Sequence, residues 1–493
     1  MKALLLYPRF PATFWSFKHA LKFVRKRAAL PPLGLLTVAA MLPDDWDLQL
    51  VDTNVSKLRD EDLRGADIAF IGAMTVQRES ARGLIARCKD HGLKVVAGGP
   101  LFTTEHQGFD DVDHLVLDEA EITLPRFLAD FERGCAGRVY HAGEYPDLRT
   151  TPPPRWTIAK TRHYSTLSLQ YSRGCPFACD FCNVTSMLGR RMRTKSCDQV
   201  VAELDAIYAL GWRGAVFFVD DNFIGRRKEL KSELLPALIR WRDGKRGVSF
   251  HTEASIDLAD DEDLMRMMVA AGFDQVFIGI ESPEERNLEE CGKTQNRGRD
   301  LVEDIRRVHR SGLQVQGGFI LGFDHDTPPV FERLIALIQQ SGIVTAMVGI
   351  LQALPGTALF DRMKEEGRLT GETSGDNVDG TTNILTTMDA SHLRLGYRRV
   401  LDHIYTPRNY YRRVRTFLRD YPSPAHRARV TGGDLLAFLR SSLRLGIVGR
   451  ERFQYWGLLV WTFIRCREHI PLAVTLAIYG HHFRKVAEYH VRN

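Results

Sequence analysis

The stretch "QYSRGCPFACDFCNVTSMLGRRMRTKS", Gln170 to Ser196, places three cysteines within eight residues. Thiolates suit zinc, copper(I) or iron–sulfur clusters, and a structural zinc site usually takes four ligands from paired Cys-x2-Cys or Cys/His units. A four-iron cluster held by three thiolates leaves one iron open, and an open coordination site is where a substrate binds. The Cys-x3-Cys-x2-Cys spacing of Cys175, Cys179 and Cys182 therefore predicts such a cluster, with a zinc site or incidental buried cysteines as the weaker alternative.

The cysteine loop lies near the start of a series of alternating strand and helix patterns between residues 166 and 352. Six βα units in a row predict a parallel barrel, or part of one, with its chemistry at the carboxyl ends of the strands. One carboxylate at a strand end is commonplace, but a cluster at successive ends predicts a binding site. The polar residues at these ends are Asp220, Asp221, Asn222, Glu253, Ser255, Glu281, Ser282, Asp324 and Gln352.

Residues 1 to about 140 alternate five strand patterns with helical ones, which predicts an α/β fold with a doubly wound parallel sheet. Ligands of such sheets bind at the carboxyl ends of the strands, where glycines let a ligand approach the backbone. The alternative for Gly98-Gly99-Pro100 is a tight turn without a ligand. The strand ends are Tyr7-Pro8-Arg9, Gly72 to Gln77, Gly98-Gly99-Pro100 and Asp118 to Glu121.

The composition is typical of a soluble globular protein, with 44% hydrophobic and 26% charged residues among 493. Eight cysteines in this length are too sparse for a disulfide scaffold and favour a reducing cytoplasm. The apolar run in the opening "MKALLLYPRF" is too short for a signal peptide, and it predicts a first buried strand instead.

The last part of the chain is strongly basic. Residues 407–493 carry 16 Arg and Lys against 5 Asp and Glu, whereas the rest is slightly acidic. The apolar runs within Tyr455–Lys485 are too short to span a bilayer, and arginines beside Trp456 and Trp461 favour an interfacial helix on anionic lipid. A helical subdomain packed on the barrel is an equal alternative. Nucleic acid is disfavoured because no recognised nucleic-acid module accompanies the charge.

These patterns predict five regions. A proline-rich stretch near Pro152–Pro154 predicts an extended linker between the two α/β parts. The predicted regions are 1–143 (Rossmann-like sheet), 144–160 (linker), 161–360 (partial barrel of six βα units), 361–406 (a further region) and 407–493 (basic helical tail).

The Cys175-x3-Cys179-x-Phe181-Cys182 loop resembles the signature of the radical S-adenosylmethionine (SAM) superfamily. The resemblance continues along the barrel, because "GGFILGF" at Gly317–Phe323 is similar to the segment that approaches the adenine, and "LPGTALF" follows strand six. The resemblance implies that the three cysteines hold a [4Fe-4S] cluster. It also implies a set of SAM-binding residues: Phe181, Asp220, Asp221, Asn222, Glu253, Ser255, Glu281, Gly322 and Gln352.

The N-terminal sheet, with "PPLGLLTVAAML", "VVAGGP" and "DEAEITLPRFL", resembles the cobalamin-binding domain that precedes many of these barrels. The whole pattern is similar to cobalamin-binding (class B) radical SAM methyltransferases such as hopanoid and bacteriochlorophyll C-methylases, with a family-specific C-terminal region that includes "GDNVDGTTN" at Gly375–Asn383. The cobalamin-binding residues that this implies are Tyr7, Pro8, Arg9, Gly72, Met74, Thr75, Gln77, Arg78, Gly98, Gly99, Pro100, Glu119 and Glu121.

The sequence departs from the cobalamin pattern at two places. The Asp-x-His-x-x-Gly motif that supplies histidine to cobalt is absent, and His19 is out of its frame. The absence of this motif implies that no histidine of that loop binds the cobalt. Gln77 or Arg78 is a candidate to lie under the corrin instead. The usual Gly-Glu-Gly-Glu is Asp118-Glu119-Ala120-Glu121 here.

The resemblance implies that SAM is cleaved to a 5′-deoxyadenosyl radical, which takes hydrogen from an unactivated carbon, and that methylcobalamin then supplies the methyl group. The expected partners are a small, lipophilic substrate and a reducing protein such as flavodoxin or ferredoxin. The expected location is the cytoplasm, with peripheral contact at the inner face of the membrane through the tail. Two alternatives stay open: a radical SAM enzyme that catalyses a rearrangement or cyclisation, and a non-catalytic iron–sulfur electron carrier.

Overall fold

The structure, a computed structural model, describes residues 1–422 and 432–492. Its first unit is a six-stranded, all-parallel sheet in the order β2-β1-β3-β4-β5-β6. The strands are β1 Lys2–Tyr7, β2 Asp47–Asp52, β3 Ile68–Gly72, β4 Lys94–Gly98, β5 His114–Val116 and β6 Val139–Tyr140.

Helices cover both faces of this sheet, and each face carries its own buried apolar cluster. Strands covered on both sides are apolar throughout, which is why "ALLL" and "IAFI" have no polar alternation. The doubly wound prediction is confirmed. The helices of this unit are α1 Lys18–Leu21, α2 Leu33–Met41, α3 Asp60–Arg64, α4 Arg78–Asp90, α5 Pro100–Glu105 and α6 Ala120–Glu132.

The second unit is a six-stranded parallel sheet in the order β14-β13-β12-β11-β10-β7, which confirms the predicted partial barrel. Its six strands are β7 Leu167–Leu169, β10 Ala215–Phe218, β11 Ser249–Ala254, β12 Phe273–Glu281, β13 Gln314–Leu321 and β14 Thr345–Ile350. A short antiparallel ladder closes the cysteine loop, and its strands are β8 Ser172–Arg173 and β9 Arg193–Thr194.

The helices of this unit lie outside the sheet, and a π-helical turn at Leu230–Leu234 precedes α10. The helices are α7 Val184–Leu188, α8 Cys197–Ala209, α9 Arg227–Glu229, α10 Leu235–Arg242, α11 Glu262–Ala271, α12 Glu285–Glu290, α13 Leu301–Ser311, α14 Val330–Ser341 and α15 Ala358–Glu365. The predicted region boundary at 360 falls inside α15, so the structure does not separate 161–360 from 361–406 there.

The predicted tail is helical where the structure describes it, and its segment 423–431 lies outside the described residues. These helices continue the apolar core of the barrel, because Tyr410, Val414 and Phe417 belong to the same buried cluster as the strands. Among the described residues, no helix combines the length and hydropathy needed to cross a bilayer. The helices are α16 Ala390–Tyr405, α17 Pro407–Asp420, α18 Gly432–Ser441, α19 Arg452–Arg465 and α20 Ile470–Arg492, with a π-helical segment at Ser442–Ile447.

Candidate active site

The three loop cysteines lie together at the carboxyl end of the barrel. All are free thiols, and Cys179 is close enough to act electrostatically on both Cys175 and Cys182. Burial raises the pKa of the Cys182 thiol to about 12, so without a metal it is protonated, and metal binding would release the proton. Within the described part of the chain, no three Cys, His or acidic side chains are arranged around a single metal ion.

A buried cation, Lys293, lies beside the cysteines and was not predicted from the sequence. Its Nζ donates to Glu281 Oε1 over 2.7 Å. Burial lowers the pKa of Lys293, but the neighbouring Glu281 and Cys179 raise it by more, so the pKa lies above its ordinary value. Glu281 itself has a φ of 64°, a strained conformation of the kind that clusters at functional sites. Lys293 supplies a fixed positive charge next to the thiols.

Three carboxylates meet at the ends of β10 and β11. Asp220 accepts hydrogen bonds from the Tyr171 and Ser172 amides and the Ser172 hydroxyl, which ties it to the start of the cysteine loop. Burial raises the pKa of Asp221 to about 6 and that of Glu253 to about 8. Asp221 Oδ2 is buried and has no hydrogen-bond partner among the residues that the structure describes, so this oxygen can receive a cationic ligand group.

Hydrogen bonds connect the ends of β12 and β13. Asn287 Nδ2 donates to Ser282 Oγ and to Asp326 Oδ1, and the Gly322 amide donates to Asp326 Oδ2 over 2.7 Å. Gly322 has a φ of +97°, a conformation that favours glycine. Phe181 packs edge-on against Phe323, 6.5 Å between ring centroids, so the predicted adenine segment adjoins the cysteine loop. Asn222 and Ser255 are neighbours at the adjacent strand ends.

Gln352 is engaged by the loop that contains "GDNVDGTTN". Its Nε2 donates to the carbonyl oxygens of Asp376 and Thr381, and its Oε1 accepts from Thr373. A Cβ added to Gly349 of β14 would lie 2.0 Å from the Asn377 carbonyl oxygen, so this loop lies tightly across the barrel mouth. Gln352 therefore anchors the loop.

The same loop reaches the N-terminal sheet. A Cβ on Gly375 would lie 2.7 Å from the Val76 amide nitrogen, and Arg78 Nη1 donates to the Thr373 carbonyl over 3.0 Å. Residues 373–381, called the bridging loop below, thus lie between the predicted cobalamin crevice and the barrel. The motif "GDNVDGTTN" was the sequence signal for this element, but its position was not predicted.

The predicted cobalamin crevice, at the carboxyl ends of β3 and β4, is formed largely by glycines. A Cβ on Gly98 would lie 2.6 Å from the Val116 carbonyl oxygen, and Gly99 has a φ of +90° before Pro100 starts α5. Gly72 packs against Leu35, and Met74 is 48% exposed at the open side. Gly98 and Gly99 must therefore be glycine for the chain to follow this path, since a side chain at Gly98 would meet the Val116 backbone and Gly99 has a positive φ.

Several predicted cobalamin residues have structural partners. Gln77 Nε2 donates to the Pro8 carbonyl over 2.6 Å and Gln77 Oε1 accepts from the Met74 amide, while Arg78 pairs with Glu105 at 2.6 Å. These bonds hold both side chains in fixed positions after the end of β3. Tyr7 is a neighbour of Gln77, the Arg9 amide donates to Ser80, and Thr75 packs under Gly375.

Glu119 and Glu121 face the barrel. Glu119 pairs with Arg173 at 2.5 Å and with Arg193 at 2.7 Å, and Glu121 pairs with Arg173 at 2.8 Å. Arg173 and Arg193 are register partners in the ladder that closes the cysteine loop. The two carboxylates thus fasten the N-terminal sheet to the cysteine loop, and this four-residue group is called the interdomain ion cluster below.

The inner face of the barrel combines aromatic and polar side chains. The His251 ring stacks on Phe217 at 4.8 Å, and Gln316 Nε2 donates to Gln275. Trp15, from the segment after β1, reaches Phe277 on β12, with ring centroids 5.4 Å apart, and its Nε1 lies 3.0 Å from Met347 Sδ on β14. The segment around Trp15 therefore lines the barrel. His19, farther along it, packs against His482 of the tail.

Together these features define a class of protein: a parallel half-barrel with a three-thiolate loop at its mouth, faced by a doubly wound sheet with a glycine-lined crevice. The free thiols fit three ligands of an iron–sulfur cluster, and the buried Asp221 oxygen fits a cationic ligand group. Gly98 and Gly99 lie at the carboxyl end of a parallel strand, the edge at which ligands of doubly wound sheets bind.

Comparison with known proteins specifies this class further. Models of the B12 binding domain, the radical SAM superfamily and a domain of unknown function (DUF4070) match residues 27–128, 169–338 and 357–493. An uncharacterized methyltransferase of Synechocystis is 39% identical, over 99% of this chain and 92% of its own. The hopanoid C-2 methylase of Rhodopseudomonas palustris is 34% identical, over 79% of this chain and 74% of its own.

Two solved structures share the fold. The cobalamin-dependent SAM radical enzyme OxsB superposes with a TM-score of 0.62 at 16% identity, covering 100% of this chain and 80% of that one. The radical SAM methyltransferase TsrM of Kitasatospora setae, solved with cobalamin and a [4Fe-4S] cluster, gives 0.60 at 14% identity, covering 96% and 99%. The chain belongs to the cobalamin-dependent radical SAM methyltransferase family, whose cofactors are a [4Fe-4S] cluster, SAM and cobalamin.

Proposed function

We propose that this protein methylates an unactivated carbon of a small, lipophilic molecule. The observation that carries the proposal is the bridging loop and interdomain ion cluster, which hold the glycine-lined crevice against the mouth of the three-cysteine barrel. When bound, SAM on the cluster supplies a radical that removes hydrogen, and cobalamin supplies the methyl group. The radical and the methyl group must reach the same carbon, and the contact between the two units supports this by bringing the strand ends of both sheets together.

In this proposal, each group of site residues has a defined binding role. Cys175, Cys179 and Cys182 hold the cluster, and Lys293 balances part of its negative charge. Asp221 and Glu253 receive the cationic end of SAM, while Phe181 and Gly322 border its adenine. Gly98, Gly99 and Met74 border the cobalamin. The remaining residues predicted for SAM and cobalamin position these groups through the hydrogen bonds described above.

The substrate in this proposal lies beside the cluster formed by Trp15, Phe277 and Met347, on the side of the bridging loop. These side chains are apolar or aromatic, which suits a lipophilic skeleton. The hopanoid C-2 methylase among the relatives acts on a lipid of that kind. We place the enzyme in the cytoplasm, with flavodoxin or ferredoxin as the electron donor, because an open iron needs a reducing compartment.

The test supplies reduced, anaerobically reconstituted enzyme with SAM carrying a labelled methyl group, cobalamin, dithionite and a hopanoid extract. Label in the extracted lipid supports the proposal. Formation of 5′-deoxyadenosine without label transfer points to a rearrangement or cyclisation, the second candidate. An intact cluster with no SAM cleavage points to electron transfer alone, which the methylase relatives already disfavour.

A further inference from the structure

The helices α18 and α19 present an unusual amount of apolar surface to solvent. Among the residues that the structure describes, 11 of the 23 exposed large hydrophobic side chains lie between residues 435 and 464, so they are concentrated and not scattered. They lie on α18, on α19 and on the π-helical segment and turn between them, and each is between 42% and 75% exposed. The residues are Leu435, Leu436, Leu439, Leu443, Ile447, Val448, Phe453, Trp456, Val460, Phe463 and Ile464.

This surface is not needed for packing within the chain. The opposite side of α19 already buries Tyr455, Leu458 and Leu459 against the tail core, as the amphipathic pattern of a surface helix requires. A helix that is also apolar on its outer side exposes that apolar surface to water, which is energetically unfavourable. Concentrated exposed apolar residues mark an interaction site for a protein or a membrane.

The charges around the surface favour an anionic membrane as the partner. Arg450, Arg452, Arg465 and Arg467 are exposed and bracket α19 at both ends. The Arg452 guanidinium lies 5.0 Å from the Phe453 ring centre, and Trp456 donates its Nε1 hydrogen to the Gly446 carbonyl while its ring stays partly exposed. Basic residues and tryptophan beside an apolar face are typical of helices that lie in a lipid interface.

We propose that this surface, the α18–α19 face, inserts its apolar side chains into one leaflet of an anionic bilayer while its arginines contact lipid phosphates. A peripheral mode follows from the absence, among the described residues, of a helix suited to crossing. The proposal names the residues behind the membrane contact predicted for the basic tail, and it stands whether or not the methyl transfer above is correct.

The face is also connected to the barrel. Arg440 of α18 donates Nη1 to the Phe23 carbonyl over 2.8 Å, and Phe23 lies in the segment that carries Trp15 into the barrel. Phe14 of the same segment stacks on Phe483 of α20 at 4.3 Å. Docking therefore places the membrane next to an element that lines the proposed substrate space, which offers a lipophilic molecule a short path from the bilayer.

The test is flotation of the full-length protein with vesicles of phosphatidylglycerol and phosphatidylcholine at low salt. The expected result is binding that falls at least tenfold between 50 and 500 mM salt, since exposed charges are screened, and that is nearly absent on pure phosphatidylcholine. The triple variant F453Q/F463Q/I464Q should bind at least tenfold more weakly. The matched control L385Q/L395Q removes exposed leucines elsewhere and should bind as wild type does.

A second readout locates the contact. Brominated lipids should quench tryptophan fluorescence in the wild type, and W456F should lose most of that quenching while keeping vesicle binding. No binding to anionic vesicles at low salt, or equal binding by the triple variant, would overturn the proposal. So would a lipid-free dimer that the triple variant abolishes, because the face would then be an interface between two copies.

Discussion

Lys293 illustrates how charge is arranged around the thiols at the level of single residues. A lysine taken out of water loses much of its hydration, and it stays charged only if a carboxylate or thiolate compensates. Glu281, at 2.7 Å, provides that compensation at the end of β12. The pair therefore gives the cluster loop a cation whose position is set by the barrel rather than by a flexible surface chain.

The cluster assignment predicts a sharp difference among cysteines. Replacing Cys175, Cys179 or Cys182 with alanine should abolish iron retention after anaerobic reconstitution, because a thiolate ligand is lost. Cys291 is the matched control, since it is buried near Cys179 but packs in an apolar cluster. C291A should keep a full iron and sulfide content. Loss of the cluster in C291A, comparable to C179A, would refute the three-ligand assignment.

Glu253 predicts a pH dependence of stability in the protein without SAM. Burial, with help from Asp221, raises its pKa to about 8 from an ordinary 4.5. Between these values the folded protein keeps a proton that the unfolded chain has lost, so the free energy of unfolding falls as the pH rises. The melting temperature should therefore fall from pH 6 to pH 9, and E253Q should fall less steeply.

The control for this prediction is E262Q, which changes an exposed glutamate on α11 and should keep the wild-type slope. Thermal unfolding followed by circular dichroism under anaerobic conditions measures both variants. Identical slopes for wild type and E253Q would mean that Glu253 is not protonated in the folded protein at neutral pH.

At the scale of elements, the strands and the longer helices could be predicted because their patterns are local. The runs "ALLL" and "VVAG" are continuous and apolar, as parallel strands covered on both faces must be. The two-residue β6 has no such pattern, since only its pairing with β5 makes it a strand. The predicted boundary at residue 360 lies inside α15, which begins at Ala358 and is capped by Thr357.

The site was predictable where one strand end supplies one residue, as at Asp221 or Glu253. It was not predictable where residues distant in sequence meet. Glu119 pairs with Arg173 only because two domains pack together, and Lys293 reaches Glu281 only because α12 turns back on β12. The partners of Gln77 and Arg78, which are Pro8 and Glu105, likewise lie far away in sequence, so no local pattern shows them.

The bridging loop predicts an unequal effect of two glycine substitutions. Gly375 has a φ of +71° and touches the Val76 backbone, whereas Gly367 has a φ of +67° with open space around it. G375A and G367A both carry about 1–2 kcal/mol of left-handed strain. Only G375A should push the loop from the crevice, lowering the affinity for hydroxocobalamin roughly tenfold, or about 1.4 kcal/mol.

Retained corrin after desalting, measured by absorbance, separates the two glycine variants. Equal retention by G375A and G367A would show that the bridging loop does not contribute to the crevice. The same preparations should keep wild-type iron content, because neither glycine touches the cysteine loop.

At the scale of the whole molecule, the two α/β units are held as one by contacts that also position the chemistry. The interdomain ion cluster joins the start of α6 to the ladder beneath the cysteine loop, and Thr151 of the linker donates to Glu121. Tyr164 donates to the buried Asp52 of β2 over 2.7 Å. The linker and the segment that follows it are therefore both held to the N-terminal sheet, and domain separation would expose buried charges.

The interdomain ion cluster predicts strong energetic coupling between domains. Arg173, Glu119 and Glu121 are largely buried, so R173Q leaves two carboxylates short of a partner and should cost about 3 kcal/mol of unfolding free energy. E121Q removes one of those carboxylates. The double variant R173Q/E121Q should therefore be less destabilised than the sum of the two single variants, by roughly 1–3 kcal/mol.

Protease cleavage within residues 144–160 should rise most in R173Q. The exposed pair R133Q/D130N, a salt bridge within one helix, should be additive and leave cleavage unchanged. If R173Q and E121Q were also additive, the Arg173–Glu121 pair would not couple the domains, and the interdomain ion cluster would have no part in keeping the crevice against the barrel.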